Sequence, residues 1–526
     1  MSLANQNTQP INWDEFGIQA EDLEFLSSYL LEIETPLGPE ELATQLIVHR
    51  LKNRQDEVRT QRAEAGKVYL PKERYAQGER VAFPNLDWKS GRVSSIRPAA
   101  VLNGHSFEVI SIEFEDGSIK EYASGLSEHS LNAPLQKNND GEQEQIAAPA
   151  AKDDVKKLAP KIIAALRESP DFVYIAGRWF PKTLIVDVTS GQLNVAEAAL
   201  DVVEGGPLPT NQLLGEVELP PGVNPKLAEF SLDLALQSDP RFDEVGPSGE
   251  VAWFLNRLEP EAVRETPLYL RYESIEQDRS AITEDMLDLE RRLDDELSPM
   301  EAQEDIEAKE VQIPLIFPHW RVGSLPLTRK VSSLFPSALE SPRVRFQFVD
   351  AQNGERFQGW VVRRQRYVVG LRDWYMRHGL MPGSNVRARR GEKPGEVIVS
   401  AEAHRASKEW VRTGLVGADG GVVYATLKQT VETSFDERMM IFLPGELLAL
   451  DNAWQRRANQ SPRLESMLGN ALRDLAKLSS QNHVHATELY SAINLQMRVP
   501  PGPVLALLAS RPQFQHVGHL HFRLVE

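Results

Sequence analysis

Ser238-Asp239-Pro240-Arg241-Phe242-Asp243-Glu244-Val245-Gly246 returns near the end of the chain as Ser510-Arg511-Pro512-Gln513-Phe514-Gln515-His516-Val517-Gly518. A shorter copy stands at Ser169-Pro170-Asp171-Phe172-Val173-Tyr174-Ile175-Ala176-Gly177. Each copy follows an apolar helical stretch and stops it at a proline, which disfavours helix at the residue before it. Each then leads into a second strand-like run carrying an aromatic residue: Trp253, Phe522 and Trp179. The pattern predicts a helix, a Pro-stopped corner and a β-hairpin in three places.

The upstream half recurs as well. Leu208 in Pro207-Leu208 is followed at a fixed offset by Leu213, Leu37 in Pro36-Leu37 by Leu42, and Val484 by Leu489. Amphipathic helices are expected before each, over 23–33, 195–203 and 467–478, with spacings such as Leu23, Leu26, Leu30 and Ile33. The order helix, Pro-Leu turn, helix, helix, hairpin resembles a winged helix. Copies two and three run continuously over 190–258 and 463–526. Copy one is split, its first two helices in 21–66 and its third helix and wing in 154–189. The middle and last copies resemble the acidic winged-helix domains related to the RNA polymerase delta subunit and to chromatin-associated HARE-HTH modules. That resemblance implies a transcription or DNA-transaction accessory, with RNA polymerase or other DNA-transaction proteins as partners.

A chain of 526 residues is too long for one core. The expected class is multidomain α+β. No apolar run reaches the ~18 residues of a membrane helix, and no signal-peptide pattern precedes the first helix. The absence of cysteine removes disulfides, thiolate metal sites and cysteine nucleophiles together. The expectation is a cytoplasmic protein without a membrane partner. A net charge of −18 argues against a protein that simply coats DNA. The charge is nevertheless uneven. Residues 329–412 hold 17 Lys and Arg against 8 Asp and Glu, whereas 259–310 hold 6 against 18. Such blocks suggest a basic contact face beside an acidic segment that could compete for it.

Between the helical units lie two β-rich regions. After a loose tail at 1–20, residues 67–135 alternate with period two, as in Phe107 to Phe114, and turn at Glu115-Asp116-Gly117. Trp88-Lys89-Ser90-Gly91-Arg92-Val93 followed by Phe114-Glu115-Asp116-Gly117 resembles the Tudor and chromo-like SH3-type barrels. This small barrel would be an insertion in the first winged helix, rejoined through a flexible linker at 136–153. An acidic helical linker spans 259–311, its helix over 278–296 and a mobile tail at 298–309. The second β region, 312–412, contains Tyr367-Val368-Val369-Gly370-Leu371-Arg372-Asp373-Trp374-Tyr375 and Gly379-Leu380-Met381-Pro382-Gly383-Ser384-Asn385-Val386. These spacings resemble the plant pseudobarrel DNA-binding domain and the related N-terminal domain of some restriction enzymes, with Leu371 where the family often has tryptophan. A β extension and connector is expected over 413–462.

The pseudobarrel carries the candidate site. Of its 17 cations 14 are arginine, the residue that grips phosphate bidentately and reads guanine edges. Arg363, Arg364 and Arg366 stand at one strand end, and Arg387, Arg389 and Arg390 form a second cluster. In the resembling family, loops at one barrel end enter the major groove, which implies that these six contact double-stranded DNA. The third helices of the middle and last winged helices lack a reading surface and look built to pack on protein. In the first copy Lys156, Lys157 and Lys161 line the third helix and Arg178 sits in the wing, where they could touch phosphate. His483, His485, His516, His519 and His521 fall together without a carboxylate or cysteine pattern for a metal. No phosphate-binding loop, nucleophile elbow or zincin motif occurs. The sequence therefore reads as a non-enzymatic DNA-binding protein without cofactor. A protein-interaction scaffold and a nuclease-associated specificity subunit stand as alternatives.

Overall fold

A computed structural model describes residues 11–525 apart from 65, 87–88, 100–106, 115, 133–151, 248, 300–307, 339, 418–420, 440, 444, 446 and 458–462. Residues 136–151 of the linker expected over 136–153 and most of the acidic tail at 298–309 lie outside the described residues, as does Trp88, whereas Lys152 and Asp153 already belong to a helix. The chain is mixed α+β and divides into two units, Met1–Val186 with Asn224–Leu227, and Asp187–Val223 with Ala228–Glu526.

In the first unit, helices α1 (Ala20–Ile33) and α2 (Pro39–Glu64) precede five strands, β1 (Lys67–Val68), β2 (Arg80–Phe83), β3 (Lys89–Pro98), β4 (Glu108–Phe114) and β5 (Ile119–Ser124). The five pair in sequence order. Alternation buries Ile110, Ile112 and Phe114 of β4 on one face with Tyr69, Tyr75, Val81, Phe83 and Val93. Aromatic rings fill this core: Phe83 lies 4.4 Å from Tyr122 and 4.8 Å from Tyr69 between centroids. The chain then returns as helix α3 (Lys152–Glu168) and the hairpin β6 (Phe172–Ile175) and β7 (Arg178–Pro181). Leu37 pairs with Trp179 through two backbone hydrogen bonds of 2.9 and 3.3 Å. Residues on either side of the five-stranded sheet thus form one packed element. The tail expected to be loose over 1–20 is in part docked, since Trp13 is buried.

In the second unit the same order occurs twice. Helices α4 (Ser190–Val202), α5 (Thr210–Glu216) and α6 (Pro225–Ser238) lead to strands β9 (Phe242–Glu244) and β10 (Ala252–Leu255), and β8 (Leu208–Pro209) pairs with β10 so that Leu208 faces Trp253. Near the end, helices α13 (Leu464–Ala476), α14 (Ala486–Asn494) and α15 (Pro501–Ser510) lead to β21 (Phe514–Gly518) and β22 (His521–Leu524), and β20 (Val484–His485) places Val484 opposite Phe522. Leu42, Leu213 and Leu489 are fully buried at their matching positions.

Between these two elements lies a seven-stranded sheet of β11 (Glu310–Pro314), β12 (Ser324–Pro326), β13 (Arg343–Asp350), β14 (Arg356–Val362), β15 (Tyr367–Val369), β16 (Asn385–Arg390) and β17 (Glu396–Ala401), in the order β11-β16-β17-β13-β14-β15-β12. β13 and β17 run parallel and every other pair is antiparallel. Two glycines let it close. A Cβ on Gly359 would stand 2.4 Å from the Phe346 ring, and Gly370 at φ +121° sits where a Cβ would meet the Gln358 carbonyl at 2.3 Å. Phe346, Phe348, Val361, Val368, Trp374 and Val397 are among its core.

Two boundaries differ from expectation. The break placed at 412 falls inside one long ribbon, β18 (Ala403–Val416) against β19 (Val422–Thr433), because only Glu402 separates β17 from β18 and no turn signal stands there. Beyond the ribbon, Phe442 makes a bridge with Thr413. The acidic helix is shorter than the expected 278–296: α8 spans Glu284–Leu293 and ends at Asp294 in the left-handed region.

Candidate nucleic-acid interface

β14 and β15 are joined by Arg363-Arg364-Gln365-Arg366, a four-residue turn closed by the Val362–Tyr367 pair. Its last residue, Arg366, has φ 58°, and its carbonyl accepts from Leu327 N–H at 2.8 Å. β16 and β17 are joined by a turn beginning at Gly391. Both turns lie at the end of the sheet where the parallel strands β13 and β17 begin. The pairing of Gln347 with Glu396 sets the second turn four residues farther along β13, roughly 13 Å by strand rise. The arginines themselves are farther apart: Arg389 is level with Ile398 and so with Val349 near the far end of β13, whereas the Arg363–Arg366 turn lies beyond Arg343 at its start.

The six arginines are not equally available. Arg363 Nη1 donates to the Ser341 carbonyl at 2.8 Å. Arg387 is ion-paired with Glu402. Arg390 Nε donates to the Ser333 carbonyl at 2.8 Å. Arg364 and Arg389 are exposed and Arg366 half-buried, and the side chains of these three have no hydrogen-bond or ion-pair partner among the described residues. Two carboxylates beside the sheet are matched: Arg343 binds Asp243 and, at 2.7 Å, Glu259. That pairing also fixes β9 and β10 beside the sheet, where Val245 and Phe254 pack on Trp360, Val362 and Tyr367.

The four residues of the first unit separate in the same way. Lys161 Nζ donates to the carbonyls of Trp13, Asp14 and Phe16 at 3.0, 2.6 and 3.0 Å, and Lys157 pairs with Asp14 at 2.8 Å. Both hold the 13–16 segment. Lys156 and Arg178 are exposed and have no partner among the described residues.

The acidic segment does not supply a loose competitor over its described part. Met286 and Leu289 of α8 are buried with Leu468, Leu505 and Phe522 of the last helical element. The carboxylates that follow, Asp295 and Glu296, bind Arg498 at 2.6 and 2.7 Å, and all three are buried. Burial would raise the Glu296 carboxyl, yet Arg498 and His319 hold it below the usual range.

One surface went unread in the sequence. Trp410 on β18 is 69% exposed and stands directly opposite Lys428. Alternation puts Lys408 on the same face, while Val411 and Val431 are buried on the other. The composition cue, one tryptophan among lysines and threonines, was hidden by the domain boundary expected at 412.

Among the described residues no group of three or more His, Asp or Glu is placed to hold a metal ion, and no helix is long and apolar enough to cross a membrane. Compared with known proteins, the chain matches no family model, no curated protein and no solved structure.

Proposed function

We propose that the protein binds double-stranded DNA through the arginines of the seven-stranded sheet. In this reading the sheet is a pseudobarrel, the five-stranded sheet is a Tudor-like barrel, and three winged-helix units carry them. The pairings Leu37–Trp179, Leu208–Trp253 and Val484–Phe522 support the repeat. The observation that carries the DNA reading is that Arg364, Arg366 and Arg389 of one sheet stand without protein partners among the described residues. Uncommitted guanidinium groups suit phosphate oxygens on a duplex.

The winged helices serve another role in this reading. A helix that reads a groove must be exposed, whereas Val504, Leu505, Ala506 and Leu508 of α15 are buried. They pack the chain and offer protein surface, as in an accessory factor of transcription or another DNA transaction. Lys156 and Arg178 are left as secondary phosphate contacts.

The test is fluorescence anisotropy with duplex DNA across a salt series, comparing wild type with Arg364/Arg366/Arg389→Ala. Binding should weaken at least tenfold in the variant, and the slope of log K against log salt should flatten by ~0.9 for each phosphate that no longer meets a cation. No saturable binding by wild type at low salt would defeat the reading and favour a protein-interaction scaffold.

A further inference from the structure

His485 and Arg438 present donors to one another. His485 is the N-cap of α14, and its Nδ1 accepts the Thr487 backbone N–H at 3.1 Å. Burial, with help from Arg438, His521 and Arg292, lowers its pKa to about 4, so the ring is neutral near pH 7. A neutral imidazole whose Nδ1 accepts carries its proton on Nε2. That Nε2 lies 3.3 Å from Arg438 Nη1, and a guanidinium has no acceptor to offer. His485 is only 4% exposed, whereas Arg438 is exposed. Two N–H groups converging on the wall of a cleft offer a place for an acceptor between them, and the guanidinium favours a charged one.

The space they face is a cleft of about 710 Å³, a size typical of small-ligand sites. Arg292 and Lys330 line it beside Arg438, and none of the three has a carboxylate partner among the described residues. Arg291 is spent on Glu284 at 2.6 Å and Asp288 at 2.7 Å. Asp285 and Asp288 line the same cleft, and His519 and His521 close its hairpin side.

We propose that this cleft binds a phosphorylated small molecule, its phosphoryl group held by His485 Nε2–H, Arg438, Arg292 and Lys330. A phosphoryl dianion has enough oxygens to satisfy these donors together, and its charge matches the three uncommitted cations. The cleft is larger than phosphate alone, and Asp285 accepts from hydroxyl or amino groups on the remainder of the ligand. This site lies outside the arginine set proposed for DNA and does not rest on that reading.

Calorimetric titration of the full chain tests it, with ribose 5-phosphate, inorganic phosphate and ribose as probes. Ribose 5-phosphate should bind saturably at one site and ribose should not. Equal affinity for inorganic phosphate would support the phosphoryl subsite and make free phosphate its source. Arg438→Ala and Lys330→Ala should each weaken binding at least tenfold while leaving the unliganded melting temperature unchanged. His485→Asn, which keeps both an acceptor for the cap and an N–H donor, should retain most of the affinity. Arg364/Arg366/Arg389→Ala should bind ribose 5-phosphate as wild type does, which separates failure here from failure of the DNA reading. Absence of saturable binding by either phosphate probe, unchanged affinity in Arg438→Ala, or displacement of ribose 5-phosphate by duplex DNA would overturn the proposal.

Discussion

Arg364 and Arg498 carry the same guanidinium into opposite surroundings. Arg364 stands exposed on a turn with no protein partner among the described residues. Arg498 is 2% exposed, where it meets both Asp295 and Glu296 and where Tyr490 donates to Asp295. The first is free to bind something else. The second is consumed by the fold, and with it two carboxylates of the segment that composition alone suggests as an acidic competitor. The difference teaches that charge counts along a sequence do not locate a binding face; the charges that remain after internal pairing do.

The largest effect should come from breaking the consumed charge. Arg498→Ala leaves Asp295 and Glu296 buried without their cation, and removing one side of a buried ion pair costs about 3–5 kcal/mol. Arg364→Ala should change stability by no more than about 0.5 kcal/mol. Urea unfolding of both variants checks the contrast; similar midpoints would mean that Arg498 is not the buried anchor described.

A third state is a buried group kept neutral, and pH exposes it. His485 in the folded chain titrates at about 4, below the ordinary value of 6.5. The unfolded chain takes up this proton as pH falls through 6.5, while the folded chain resists until about 4. Stability from this group is therefore complete above 6.5 and is lost as pH falls toward 4, by at most about 3 kcal/mol. Thermal melts of wild type should decline more steeply across that window than those of His485→Asn. Parallel curves would remove His485 as the cause.

Lys161 sharpens the same comparison within one helix. Three carbonyl acceptors hold its ammonium, whereas Lys156 one turn away has none among the described residues. Charged hydrogen bonds contribute about 1.5–3 kcal/mol when well made. With part of this site open to solvent, Lys161→Ala should cost about 1.5 kcal/mol and speed proteolysis within 11–19. Lys156→Ala should do neither, and equal behaviour of the two would show the docked tail to be incidental.

These cases mark what was legible. Local period and fixed offsets lie within reach of a sequence reading: the Leu–Leu spacing and the hairpin aromatics identified Leu37, Leu208 and Val484, and the same residues pair with Trp179, Trp253 and Phe522. The arginine clusters were visible because each is contiguous. What covers a charge was not visible, since Asp295 and Arg498 are about two hundred residues apart and neither carries a periodic signal. Asp295 and Glu296 have the composition of a solvated helix end, and only tertiary packing buries them. The His485–Arg438 conflict was equally hidden, because it depends on which ring nitrogen the Thr487 amide engages.

Arg366 gives the smallest and most discriminating test, because its backbone and side chain make opposite predictions. At φ 58° it occupies the left-handed region, which costs a non-glycine residue about 1 kcal/mol. Arg366→Gly relieves that cost, offset in part by the greater freedom of glycine in the unfolded chain, so stability should hold or rise by about 0.5 kcal/mol. The turn and its Leu327 hydrogen bond survive because only backbone is used. If the arginine is kept in a strained position to meet a phosphate, DNA affinity should fall several-fold and the salt slope should flatten by ~0.9. A variant that is as stable as wild type and binds DNA equally well would leave the strained guanidinium without that role, and would shift the interface toward Arg364 and Arg389 alone.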